Sequence, residues 1–332
     1  MRSVKEFRAG KPGFYPDQSI YAEFACAEFG LAFRDLDGGT GLIFSVASSN
    51  KSLHFGAGRS SWYPQNSATA STLASDKYFA SKILEVAGVA TIGGQYFFLH
   101  DRYRAHRPVG HEREDALAYF RGLGASAFVK PLTGSRGDFA QRIHGEAALT
   151  RYLDEVTKYY DAVLVQPIVE GIEYRIFLLD DEALFCARKH LPFVRGDGVH
   201  TYRELLTAHN DTLRARGLSP VPPGDHDSTL NAVLAKGEQR NIPGRMNLSA
   251  GGTMAIEPPP SEEAVALAKQ ATRALGLRVA AIDLFAGVGG EPDAIDVIEV
   301  NSNPSIRLLE ESDRGDLILK IWHHTFSSMG LL

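Results

Sequence analysis

Ile282-Asp283-Leu284-Phe285-Ala286 and Val297-Ile298-Glu299-Val300-Asn301-Ser302-Asn303-Pro304 are two apolar runs that carry acidic and amide side chains where a buried strand would carry hydrocarbon. Residues two apart on a strand project from one face, so Glu299 and Asn301 point together, and Asp283 joins them if the two runs pair. Three oxygen donors on one face suit Mg²⁺, which takes a few carboxylates together with the oxygens of bound phosphates. A sheet edge with ordinary solvated polar residues accounts for the same positions equally well. The rest of the chain has to decide between the two.

Working outward, the segment before these runs reads as a helix, Ser261–Leu275, stopped at Gly276. Upstream, Ala127–Pro131, Ala162–Ile168 and Tyr174–Leu179 read as buried strands, and Glu112–Leu123 and Glu146–Tyr159 as amphipathic helices. A helix is expected to start at Ser71, Thr72 or Ser75 and to run through Lys82 to Ala87, ending at Gly88, and another at Ser19–Gly30 ahead of short strands near Leu31, Leu42 and Leu53. Alternating strands and helices place the chain in the α/β class with mostly segregated layers. The polar, Pro- and Gly-rich stretch 195–245, with a helix at Tyr202–Arg216, is long enough to be a lid.

Composition narrows the function classes. With 332 residues and 44% apolar content, two or three packed units are expected. A formal net charge of −5 gives no electrostatic case for a nucleic-acid or membrane surface. No apolar run reaches the roughly 18 residues of a membrane span, and residues 1–11 lack a signal-like core, so a cytoplasmic location is the default expectation. Cys26 and Cys186 are far apart and read as buried small hydrophobes. His100, His106 and His111 match no metal-ligand spacing and read as a solvated loop.

Lys130 ends an apolar strand and is followed by Thr133-Gly134-Ser135-Arg136-Gly137, small residues whose backbone N–H groups could approach a phosphate. Neither a Walker loop nor a dinucleotide-binding glycine fingerprint is present.

Taken in order, Ala74-Ser75-Asp76-Lys77, Val129-Lys130-Pro131, Val165-Gln166-Pro167-Ile168-Val169-Glu170-Gly171-Ile172-Glu173-Tyr174-Arg175, Gly196–Leu205, Asn247–Thr253 and Glu299-Val300-Asn301 resemble the ATP-grasp superfamily of carboxylate–amine ligases. The resemblance spans roughly residues 67–309 and is nearest to the ATP-grasp domain of cyanophycin synthetases and of bifunctional glutathione synthetases. It implies an α/β (α+β) ATP-grasp fold with a small N-terminal α/β unit, 1–72, and two α+β subdomains that clamp ATP, 73–165 and 166–332.

Residue by residue, the resemblance makes Lys77, Lys130, Gly134, Ser135 and Gly137 the phosphate-binding set, and gives adenine the segment Gln166, Pro167, Ile168 and Val169. Glu173 is implied for the ribose, and Asp283, Glu299 and Asn301 for Mg²⁺, two ions for which Mn²⁺ substitutes. Lys189, Arg307 and Asn247 are implied as catalytic or substrate-side residues. The implied activity joins an amino acid or short peptide to an amine through an acylphosphate, releasing ADP and phosphate. The implied partners are small-molecule amino-acid or peptide substrates and, as is common in the family, a second copy in a homodimer.

The chain departs from the family at Asp138-Phe139, where relatives carry further glycine, and at Pro167, which has no N–H for adenine. The Mur-ligase-like half of cyanophycin synthetases is not among these 332 residues, so polymer synthesis is not expected. A kinase that phosphorylates a small molecule, or a nucleotide-binding regulator without turnover, is the alternative. A strongly basic cleft would mark a kinase for polyanions, which the acidic balance does not favour, and lost metal ligands would mark the regulator, whereas Asp283, Glu299 and Asn301 are all present.

Overall fold

The computed structural model describes residues 3–57, 61–134, 137–215, 229–242 and 252–332. Ser135 and Asn247 lie outside them, as does most of the Asn247–Thr253 segment. Among the described residues four sheets carry the architecture. The N-terminal unit has helices α1 (Val4–Ala9) and α2 (Asp17–Phe29) and a three-stranded sheet of β1 (Ala32–Asp35), β2 (Ile43–Ala47) and β3 (Ser52–Gly56).

Where one helix was expected, starting at Ser71, Thr72 or Ser75 and running to Ala87, two form: α3 (Ala68–Ser75) and α4 (Lys77–Val86). Asp76 breaks them, with φ −92° and ψ 111°, and its carboxylate accepts the N–H groups of Tyr78 and Phe79 as the cap of α4. An aspartate prefers that capping role to a helix interior, and the break swings Lys77 to a helix start. Gly88 follows at φ +75°, the left-handed stop expected of it.

The second sheet runs β4 (Gln95–Phe98), β7 (Ala162–Gln166), β5 (Ser126–Pro131), β6 (Gln141–His144), all antiparallel. Ala127, Val129, Val163 and Val165 pack on Phe120 of α5 (Arg113–Gly122) and on Leu149 and Leu153 of α6 (Glu146–Val156). Strand alternation therefore sends Phe128, Lys130, Leu164 and Gln166 to the opposite face. Gly94 enters this sheet at φ +126°, and a Cβ there would lie 2.7 Å from the Val165 carbonyl oxygen. Gly94→Ala is expected to cost about 2 kcal/mol, from backbone strain and displacement of β7, measured by chemical denaturation.

The third sheet, β12 (Thr253–Ile256), β9 (Glu182–His190), β8 (Ile172–Leu179), β13 (Val279–Ala286), β14 (Ile295–Asn301), holds the two runs that opened the reading. They are adjacent antiparallel strands, and Asp283 is the register partner of Glu299. One face of this sheet, through Ile176, Ile282, Leu284 and Val300, packs on Ala264, Ala268 and Ala271 of α8 (Glu262–Ala274) and on α4. The alanines repeat at helical spacing, so the helix approaches the sheet closely.

On the other face the distal ends, Phe177, Phe185, Val279 and Ala281, join one core with Tyr21 and Phe44 of the N-terminal unit and with Ile318, Trp322 and Phe326 of α10 (Gly315–Ser328). α10 follows the short α9 (Arg307–Glu311). Its buried positions recur at helical spacing, a signal present in the sequence and absent from the expectations above. The proximal end of this face carries the polar residues.

The fourth sheet pairs β10 (Phe193–Arg195) with β11 (Gln239–Asn241) beside α7 (Tyr202–Ala215), and Tyr202, Leu206, Leu213, Leu234 and Ile242 give this segment a core of its own. Part of the stretch read as a lid is thus a packed subunit of structure. No described helix is long and apolar enough to cross a membrane.

Candidate active site

Three strands set the site. Arg175 on β8, Asp283 on β13 and Glu299 on β14 are register partners in one row across the sheet. Alternation places Glu173 beside Arg175, Asn301 beside Glu299, and Lys189 of β9 on the same face. A register irregularity in β13–β14 at Asp283/Leu284 keeps both requirements: Leu284 and Val297 still face α8, while Asp283 and Glu299 face the site.

Asp283 is 1% exposed and is bonded through both carboxylate oxygens. Arg175 grips it through two bonds, Nε to Oδ1 at 2.6 Å and Nη2 to Oδ2 at 2.7 Å. Lys189 Nζ adds a contact to Oδ2 at 3.1 Å and also donates to Glu173 Oε1. Burial by itself would raise the Asp283 carboxyl, but the charges of Arg175 and Lys189 outweigh it and hold the group well below the usual carboxylate range. Burial would likewise discharge Lys189, and the two carboxylates keep it charged. Glu173 is pushed upward, first by burial and then by the neighbouring Asp283, against the pull of Lys189.

The second sheet supplies Lys130, 4% exposed, on the face turned away from α5 and α6. Burial pushes its ammonium down to about 8; Glu299 pulls the other way and Lys77 adds to the depression. Lys77 ties α4 to the following loop, its backbone N–H meeting the Leu132 carbonyl at 3.2 Å and its Nζ the Gly134 carbonyl at 3.0 Å. Gly134 and Gly137 both have positive φ, at 146° and 68°. Gln166 ends β7, and Pro167, Ile168 and Val169 form the connection to β8. Gly171 closes that connection against β13: a Cβ on it would sit 2.9 Å from the Phe285 Cβ.

A cleft of about 230 Å³ lies between these parts, lined by residues that include Ser75, Lys77, Gly134, Gln166, Glu299 and Asn301. Glu173, Lys189 and Asp283 do not line it, because their charges are turned into one another.

The oxygen donors around Glu299 match what Mg²⁺ takes. Glu299 is half-buried, and the Asn301 amide nitrogen donates to it at 3.3 Å, which leaves the Asn301 oxygen for a cation. Asp283 Oδ1 carries one hydrogen bond and keeps a lone pair. Among the described residues no group of three or more His, Cys, Asp or Glu side chains is arranged as a metal cluster. The set therefore fits a hard cation that brings phosphate oxygens of its own, as Mg²⁺ does, rather than an all-protein cage.

Arg307 is placed elsewhere. It begins α9 and pairs with Asp17 of α2 at 3.0 Å and with Glu311 at 3.4 Å, beside Arg8, which binds Asp17 and the buried Glu310. The structure thus gathers Lys77, Lys130, Gly134, Gln166, Glu299 and Asn301 at or beside one cleft, with Glu173, Lys189 and Asp283 interlocked next to it. Arg307 is on the N-terminal side of the sheet.

Two supporting residues were not foreseen. Arg175 was part of a motif without a role. Asn66 is buried and bonds the N–H and C=O of Val279 and the C=O of Ser302, at 3.0, 2.8 and 3.0 Å, pinning the ends of β13 and β14. Only the isolated polar letter among apolar neighbours could have flagged Arg175. Both cysteines are buried and free, with thiols pushed up to about 12 by burial.

No protein-family model matches the chain. Its fold is that of the ATP-grasp proteins. Among solved structures it is similar to a bifunctional glutathione synthetase from Pasteurella multocida, with a TM-score of 0.55 and 20% identity, over 92% of this chain and 44% of that one. It is also similar to a D-alanine–D-alanine ligase from Bacillus anthracis, with a TM-score of 0.52 and 15% identity, over 80% of this chain and 71% of that one. In sequence the chain is related to the glutathione biosynthesis bifunctional protein of Mannheimia succiniciproducens, 29% identical over 210 residues, which are 56% of this chain and 28% of the relative. The corresponding Streptococcus mutans protein is 30% identical over 230 residues, 60% of this chain and 30% of the relative. The chain thus spans less than a third of these two relatives.

Proposed function

We propose that the chain is an ATP-dependent carboxylate–amine ligase that joins an amino acid or short peptide to an amine-bearing amino acid, releasing ADP and phosphate. The observation that carries this reading is the row Arg175–Asp283–Glu299, with Asn301 and Lys189 on the same face, opposite a buried lysine from the second sheet of an ATP-grasp fold.

A carboxylate is a poor electrophile. Transfer of the γ-phosphoryl group to it makes an acylphosphate, and the amine then displaces phosphate. Charge neutralisation and positioning are the protein's share of this chemistry. Lys77, Lys130 and the loop from Gly134 through Ser135 to Gly137 hold the phosphates, and Lys189 meets the transferring group. Gln166, Pro167, Ile168 and Val169 face adenine, with neighbouring backbone groups supplying the N–H that Pro167 lacks, and Glu173 accepts from the ribose. Glu299, Asn301 and Asp283 hold Mg²⁺, which supplies charge stabilisation on the phosphoryl oxygens. Asn247 acts on the substrate side. Two ions, substitution by Mn²⁺, the subdomain clamp between 73–165 and 166–332, and a homodimer complete the proposal.

Incubating the purified chain with ATP, Mg²⁺ and pairs of amino acids tests it. Release of ADP and phosphate with one pair, and a hydroxamate when hydroxylamine replaces the amine, is the expected result. A phosphate ester inert to hydroxylamine would instead mark a kinase, and no ADP with any pair contradicts both.

Lys130 gives a separate expectation. Near pH 8 about half of its side chains are uncharged in the free protein. A bound polyphosphate favours the charged form, so nucleotide binding at pH 8 is expected to take up a fraction of a proton. Calorimetry in buffers of different ionisation enthalpy measures this uptake, and Lys130→Met should remove it. In the free protein the sign is set by a folded value below the unfolded 10.5: the unfolded chain binds more protons between about 8 and 10.5, so Lys130 contributes increasing stability as pH rises through that window.

A further inference from the structure

Lys189, Glu173, Asp283 and Arg175 form a closed network of two cations and two carboxylates, with side-chain exposures of 13%, 10%, 2% and 18%. Three of the four are groups that the proposed function needs for other partners: Lys189 for phosphate, Glu173 for ribose, Asp283 for metal. In the structure each of those three is satisfied by the others. A divalent ion on Asp283 Oδ1 and the Lys189 ammonium on Oδ2 would share one carboxylate, and two cations held that close repel.

We propose that Lys189 is an exchanging cation: a phosphate arriving at the site draws it off Glu173 and Asp283, uncovering the ribose acceptor and the metal ligand in one move. Arg175 stays on Asp283 as a positioning residue, and its bidentate grip fixes the direction of the remaining Oδ1 lone pair. This rests on the ligase reading above. Before nucleotide binds, the network presents a neutralised surface to a divalent ion, so metal binds weakly; by reciprocity, whatever removes Lys189 raises metal affinity.

Mn²⁺ binding to the whole chain without nucleotide, followed by electron paramagnetic resonance of the free ion, tests the exchange independently of any turnover. Lys189→Met is expected to bind Mn²⁺ at least tenfold more tightly than the parent, and adding Asp283→Asn should abolish the gain. Arg175→Gln, which removes the grip that aims Asp283, should not reproduce this gain, and Arg175→Lys should stay near the parent. No gain in Lys189→Met, or a gain that survives Asp283→Asn, overturns the proposal. If Lys189→Met does not fold, as judged by thermal melting, Lys189→Gln, which keeps a polar side chain without the charge, answers the same question. A Mn²⁺ gain in a protein that consumes no ATP would retire the ligase reading and leave the ion network standing.

Discussion

Glu299→Gln is expected to lower ATP consumption, measured as kcat/KM for ATP at saturating amino-acid substrates, on the order of a hundred- to a thousandfold. Glu299 is the carboxylate of the row that no cation grips, and it lines the cleft. Its charge is the part of the site free to meet a metal ion. Glutamine keeps the shape, so stability should change little. The same substitution removes the partner that pulls Lys130 upward, so the Lys130 ammonium should fall further below about 8. Proton uptake on nucleotide binding should then shift to lower pH. An unchanged kcat/KM would remove Glu299 from the metal site.

Asp283→Ala is expected to have the largest effect on stability, roughly 3–5 kcal/mol, read from denaturant unfolding of the free protein. The cause is not the lost carboxylate alone. Arg175 and Lys189 would remain in a buried site with Glu173 as the single carboxylate of the three groups left, and an uncompensated buried charge is costly. Combining Asp283→Ala with Arg175→Met should therefore recover part of the loss, because it removes the charge left unpaired. Glu299→Gln carries no such penalty. A large stability effect at Asp283 and a small one at Glu299 would separate the interlocked carboxylate from the open one.

The contrast also explains what was legible in the sequence. Asp283, Glu299 and Asn301 stood out because a strand has a period of two and these polar letters break apolar runs; the pairing of β13 with β14 then followed from ordinary hairpin proximity. The helix stops at Gly88 and Gly276 were readable from the left-handed backbone each adopts.

Asp76 was not readable in the same way. Its apolar surroundings continue a helical pattern on both sides, and only the cap geometry shows that the chain turns there. Arg175 shows a second kind of limit. It lies 108 positions from Asp283, so its partner depends on which strands become neighbours, and local periodicity carries no such information. Lys189 was named for one role, yet in the free protein its two contacts are to residues named for two others. Strand β9 was missed because its end, Arg188-Lys189-His190, is polar, as a half-buried sheet beside a charged cleft requires, and β12, Thr253–Ile256, because four residues are too few to show a period.

Transfer of ¹⁸O tests the central claim most directly. With the activated amino acid labelled in its carboxylate, an acylphosphate route carries one ¹⁸O into the released phosphate for every amide bond made. Phosphate that contains the label in that ratio is the predicted result. Amide formation with unlabelled phosphate, or ADP release with the label retained wholly in the amino acid, would contradict it.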